Sequence, residues 1–191
     1  LRFDVQFTFA DSAVPATILE TVTGSYTIDY DKYHIMLDST EFVQGLQYNL
    51  VIFHEDKVIS VGVKQPYTDV LRVPLLDSLF RLSQVLSLQV THLNDTTRRL
   101  VATFSPTAQY SAYNIDYDLR NYVVRKINYY IKIPASPSAG NTSLITVNFT
   151  NYRHETVQGS EFDEFQFIQR QSGQFVGVPP YADYRVVNVL Q

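Results

Sequence analysis

Residues 24–37 read GSYTIDYDKYHIML. Tyr26 and Ile28 alternate with Ser25, Thr27 and Asp29. After the short Asp31-Lys32 step, Tyr33, Ile35 and Leu37 alternate with His34, Met36 and Asp38. A strict period of two puts one set on a core face and the other toward water, which is the pattern of half-buried strands joined by a tight turn. Aromatic and β-branched residues fill the apolar set, and such side chains pack well on a pleated surface.

The same period runs outward in both directions. Upstream, Phe3, Val5, Phe7 and Phe9 oppose Arg2, Asp4, Gln6 and Thr8. Downstream, residues 41–53 are predicted as one longer strand, with Leu46, Tyr48, Leu50 and Ile52 sharing a parity. His54-Glu55-Asp56 makes the next turn, and Val58 to Val63 returns as its hairpin partner until Pro66, which has no N–H for the ladder. Further strands are predicted at 86–93, with Leu86, Leu88 and Val90 on one face, and at 98–104, 113–117, 122–133, 145–149 and 184–190. The stretch 157–173 reads as a short helix or an irregular crossing.

A single helical signal interrupts this. Pro74 suits a first helical position, and Leu75, Leu76, Leu79, Phe80 and Leu82 follow at spacings of three and four. The expectation is a mainly β (α+β) fold. It has about ten or eleven strands in a curled antiparallel sheet, an incomplete β-barrel, with one covering helix. Residues 1–191 are expected to form a single domain, since no linker divides them.

Composition narrows the function. Apolar residues make up 45% and charged residues 18%, so disorder is excluded. The net charge of -4 contains no basic block, which argues against a nucleic-acid partner. Cysteine is absent, so neither disulfides nor thiolate metal sites are available. No apolar run is long enough to span a bilayer as a helix, so no transmembrane segment is expected.

Chemistry-bearing patterns are equally sparse. His34, His54, His92 and His154 show no metal-ligand spacing. Asp29-Tyr30-Asp31 and Asp116-Tyr117-Asp118 lack the glycine and distal glutamate of a calcium loop and read as strand-end turns. Neither a phosphate-cradling glycine loop nor a nucleophile elbow occurs. Expected catalytic residues, metals and cofactors are therefore none, and an enzyme is not expected.

Four stretches carry a family resemblance. They are GSYTIDYDKYHIML (24–37), VISVGV (58–63) followed by PLLDSLFRL (74–82), RRLVATFSP (98–106), and AYNIDYDLRNYVVRKINYYIKI (112–133). Together they resemble the LolA/LolB-like lipoprotein-carrier superfamily, over roughly residues 3–152. The resemblance implies an incomplete barrel whose helices cover an apolar cavity for lipoprotein acyl chains. It implies an exported protein facing the periplasm or the outer membrane, with its signal segment outside these residues. Envelope proteins are then the partners to expect, and the protein is expected to be a monomer. The family's third strand holds an arginine that tethers the lid; in this chain the basic candidates there are Lys32 and His34.

An acyl chain gains about 0.8 kcal/mol per methylene removed from water, so a binder needs only a concave apolar wall. The candidate wall is Phe7, Phe9, Tyr26, Ile28, Tyr33, Ile35, Leu50 and Ile52, with Leu75, Leu76, Leu79 and Phe80 as the covering helix. The alternative is a structural or protein-docking β module with a filled core. It would act through a half-exposed tyrosine face drawn from Tyr110, Tyr113, Tyr117, Tyr122, Tyr181 and Tyr184.

Overall fold

The structure is a computed structural model and describes residues 1–65, 85–132 and 142–189. The predicted helix at 74–82 lies outside the described residues, and with it the covering set Leu75, Leu76, Leu79 and Phe80. The described residues hold fourteen strands. Twelve are hydrogen-bonded in the order β14-β6-β5-β4-β3-β2-β1-β11-β10-β9-β8-β7. The order starts at β14 and ends at β7 without joining them, so the large sheet is unclosed. Every pairing described is antiparallel except β14 with β6. The chain divides into two compact units, and β1 (Arg2–Asp11), β2 (Ile18–Asp29) and β11 (Thr142–Arg153) contribute to both.

The first unit is built on hairpins that run strand to neighbouring strand. The C-terminal half of β2 pairs with β3 (Lys32–Leu37), with Asp29 opposite Lys32 and Gly24 opposite Leu37. Tyr30 takes a positive φ of 53° in the connecting turn. The stretch 41–53 is a hairpin, not one strand. β4 (Thr40–Gln44) and β5 (Tyr48–Phe53) pair with Val43 opposite Leu50, and Gly45 to Gln47 form the bend. A Cβ on Gly45 would collide with a Glu164 carboxylate oxygen, so this bend needs glycine. β6 (Val58–Val63) closes the next hairpin as predicted.

The tail then returns over this unit. It makes two short 3-10 turns, Gly159–Phe162 and Glu164–Gln166, and a small hairpin of β12 (Ile168–Gln171) and β13 (Gln174–Gly177). It ends in β14 (Arg185–Asn188), parallel to β6. Val43, Leu50, Ile52, Ile59 and Val61 pack with Phe167, Ile168 and Phe175 of the tail in one core. Tyr48, Tyr181, Tyr184 and Val186 rest against it.

The second unit holds β7 (Val85–His92), β8 (Thr97–Phe104), β9 (Tyr110–Asp118) and β10 (Val124–Lys132), with most of β11. Successive register rows alternate between its two faces. One register row runs Val90, Leu100, Ile115, Ile127, Val147, and the next on the same face runs Leu88, Ala102, Tyr113, Tyr129, Ile145. On the opposite face Arg99, Asp116, Lys126 and Asn148 stand in line. The predicted Leu86, Leu88, Val90 set is broken at Leu86, because the β7–β8 register shifts by one residue between Val85 and Ser87.

Candidate functional site

Directly paired residues on neighbouring strands share a face, so register decides which wall candidates can touch one ligand. Tyr26 stands opposite Ile35, which stands opposite Phe42, which stands opposite Val51. Ile28 stands opposite Tyr33, followed by Gln44 and Asn49. Tyr26, Ile28, Tyr33 and Ile35 therefore form one surface, which sequence reading did not extend to Phe42 and Val51. Phe3 extends it, stacking on Tyr26 with ring centroids 5.0 Å apart and on Tyr152 at 5.3 Å. Most of these side chains are half-buried; Ile28 and Tyr33 are buried. Asn49 Nδ2 donates to the Tyr33 hydroxyl at 2.8 Å, so the one polar group of that buried ring is satisfied. Burial raises the Tyr26 and Tyr33 phenol pKa values, which keeps this face uncharged.

Leu50 and Ile52 do not belong to that wall. Their partners Val43, Ile59 and Val61 place them on the other face, in the core beneath the tail, where both are 0% exposed. The correction has a plain cause. Parity counted along one chain does not carry across the bend at Gly45 to Gln47. Phe7 and Phe9 lie half-buried on β1 in the second unit.

The lid-tether candidates Lys32 and His34 also point away from the wall. Lys32 lines a cavity of about 420 Å³ with Gly45, Leu46, Ser160, Phe162 and Phe165. His34 belongs to a polar cluster that sequence spacing did not reveal. Glu41 is only 4% exposed, and two imidazoles share its carboxylate. His34 Nε2 lies 2.6 Å from one oxygen and His54 Nε2 2.9 Å from the other. The Tyr184 hydroxyl stands 3.0 Å from His54 Nδ1. The Glu41 oxygens accept from the two Nε2–H groups, and His54 Nδ1 and the Tyr184 hydroxyl share one further hydrogen bond. A relay of four groups results, tying Tyr184 of the tail to β4. The His34 ring also meets Phe167 edge-on at 6.3 Å. Among the described residues, no group of His, Asp or Glu is arranged to hold a metal ion.

A second buried carboxylate fastens the tail at the other end of the same face. Glu164 is 2% exposed and accepts from three successive backbone amides: Leu46 at 3.2 Å, Gln47 at 2.7 Å and Tyr48 at 3.3 Å. Three converging N–H groups form an anion-binding nest, here filled by the chain's own side chain. Nothing in the sequence marks it, because the nest is made of backbone.

The tyrosines of the docking alternative are not all half-exposed. Tyr113 is 1% exposed and packs T-shaped on Tyr129 at 4.4 Å, with Phe104 and Tyr110 adjoining. Tyr181 and Tyr184 pack on the first unit's core, and Tyr122 stands exposed at a turn.

No family model matches the sequence, and no curated protein matches it. The structure is similar to a DUF1329 family protein from Desulfovibrio piger, at 11% identity and a TM-score of 0.37, covering 86% of this chain and 89% of that one. It is similar also to an outer membrane lipoprotein-sorting protein domain from Vibrio parahaemolyticus, at 10% identity and a TM-score of 0.36, with the same coverage of 86% and 89%. Among the described residues, no helix is long and apolar enough to cross a membrane.

Proposed function

We propose that the chain binds an acyl chain, of a lipid or a lipoprotein, on the apolar face that carries Phe3, Tyr26, Ile35, Phe42 and Val51, and that it does so without catalysis. One observation carries this reading. The first unit's sheet buries one face under its own tail, while on the other face Phe3, Tyr26, Ile35, Phe42 and Val51 form a contiguous apolar, half-buried row. Ten methylenes laid on such a surface would gain roughly 8 kcal/mol before ordering costs. The chemistry is shape and dryness alone; no charge is required of the wall. The proposed setting is the periplasmic side of a bacterial envelope, as the sequence resemblance implies.

The test is titration of the delipidated protein with a fluorescent fatty acid. Uptake at micromolar concentration or below is expected. Ile35→Glu places a charge in the middle of the face and should weaken uptake about ten-fold or more. A wild-type protein that takes up no probe at saturating lipid ends the proposal. The docking-module reading keeps one specific observation in its favour, the filled core around Leu50 and Ile52. It predicts no uptake at all.

A further inference from the structure

The two ends of the large sheet are built differently. At one end β14 has four residues and carries Arg185. At the other end β7 has eight, VLSLQVTH, with no Lys, Arg, Asp, Glu or Pro. Among the described residues its backbone pairs with β8 alone, so no described strand takes up its outer row of donors and acceptors. Natural sheets blunt such edges with charge, proline, brevity or a bulge; β7 has only the bulge at Leu86, near its start, and from Ser87 to His92 it has none of these. Leu86, Leu88 and Val90 are 68%, 48% and 55% exposed. Leu88 and Val90 continue the rows of Tyr113 and Ile115, which are buried. An apolar face therefore runs out to an open edge.

The sequence of that edge matches itself in reverse. Antiparallel pairing about a two-fold axis at Gln89 sets Leu88 against Val90 of the other copy, and Val90 against its Leu88. On the opposite face Ser87 meets Thr91, and Gln89 meets Gln89. From Ser87 to Thr91 apolar meets apolar and polar meets polar; beyond them Leu86, in the bulge, falls opposite His92, and no like charges face each other. The nearest cation of the adjoining strand that shares the polar face, Arg99, is already held by Asp116 at 2.6 and 2.7 Å. A two-fold contact also closes on itself with two copies, whereas joining β7 to the β14 edge of another copy would build a ring or an open filament. We propose that β7 pairs with β7 of a second copy of this chain, antiparallel about Gln89, to form a dimer. The expectation of a monomer rested on the resemblance and took no account of this edge.

Sedimentation of the whole chain over about a hundred-fold concentration range tests this. Wild-type protein should pass from monomer to dimer. The double variant Leu88→Lys with Val90→Lys sets lysine against lysine across the axis and should weaken association about ten-fold or more. Leu88→Lys with Val90→Glu sets lysine against glutamate twice in the same register, and should restore the dimer. Both variants change exposed side chains, and equal thermal melts show that each is folded. A wild-type chain that stays monomeric throughout overturns the proposal, and so does equal behaviour of the two variants. Protection of the outer β7 amides from hydrogen exchange in a monomeric sample would show that the chain covers its own edge, and would overturn it as well. None of these outcomes depends on lipid uptake.

Discussion

The two units solve the problem of a sheet with two faces in opposite ways. In the first unit one face is packed by the tail, and buried carboxylates fix the tail in place: Glu41 through His34 and His54, Glu164 through three backbone amides. In the second, Arg99 pairs with Asp116 on the face opposite the apolar rows, and both Arg120 and Arg125 reach Asp118. Its apolar face carries a cluster of rings, Phe104, Tyr110, Tyr113 and Tyr129. The difference teaches where specificity is stored. Aromatic packing tolerates a range of covers. A carboxylate in a nest accepts only a segment that delivers it within tenths of an ångström.

The largest effect should come from the ring cluster. Tyr113→Ala removes a fully packed ring from the centre of the second unit and should cost about 4 kcal/mol, read as a lowered denaturant midpoint. If the loss were below about 1 kcal/mol, the cluster would not be the core of that unit, and the contrast with the first unit would collapse.

Next comes the nest. Glu164→Ala leaves three part-buried amide donors without their acceptor and should cost about 3 kcal/mol. Glu164→Gln keeps the shape and one acceptor oxygen, and should cost less. The sharper readout is local. Hydrogen exchange should quicken in residues 157–189 and stay unchanged at the β9 and β10 amides. Uniform quickening across both units would show that the tail is not fastened at this point. Gly45→Ala should mimic the loss, since the new methyl would occupy the position of the carboxylate.

How much of this is legible in the sequence follows from what each feature is made of. The hairpins at 24–37 and 48–63 are legible because alternation and turn residues both sit in the local sequence. The split of 41–53 is not, since a single glycine carries its signal and the reason for that glycine is a carboxylate far along the chain. Composition and parity assign Leu50 and Ile52 to the wall, and only register shows that they face the other way. The cluster of His34, Glu41 and His54 is invisible to spacing rules. It depends on where two turns fall, and those turns bring the three residues onto one face. The Leu88 and Val90 rows are visible as a pattern, but their place at an open edge requires the strand order.

The smallest effect is a slope against pH, and it separates the two units' tyrosines. Burial, followed by the neighbouring Tyr129 and Tyr110, pushes the Tyr113 phenol far above its ordinary range. Burial also raises Tyr26 and Tyr33 in the first unit. A phenol that holds its proton more tightly when folded than when unfolded stabilises the fold fully at pH values below the unfolded pKa, near 10. Above that value the unfolded chain gives up protons that the folded chain keeps, so stability falls as pH rises. Denaturant midpoints should therefore be flat between pH 7 and 9 as far as these phenols are concerned, and should decline beyond about pH 10. Tyr113→Phe removes the strongest contributor and should flatten the alkaline decline while changing the neutral midpoint little. Tyr33→Phe should flatten it less, since the Asn49 amide donates to that hydroxyl and offsets part of the burial. An alkaline slope untouched by Tyr113→Phe would mean that the ring cluster opens to water before its central phenol ionises, and would set the second unit below the first in local stability.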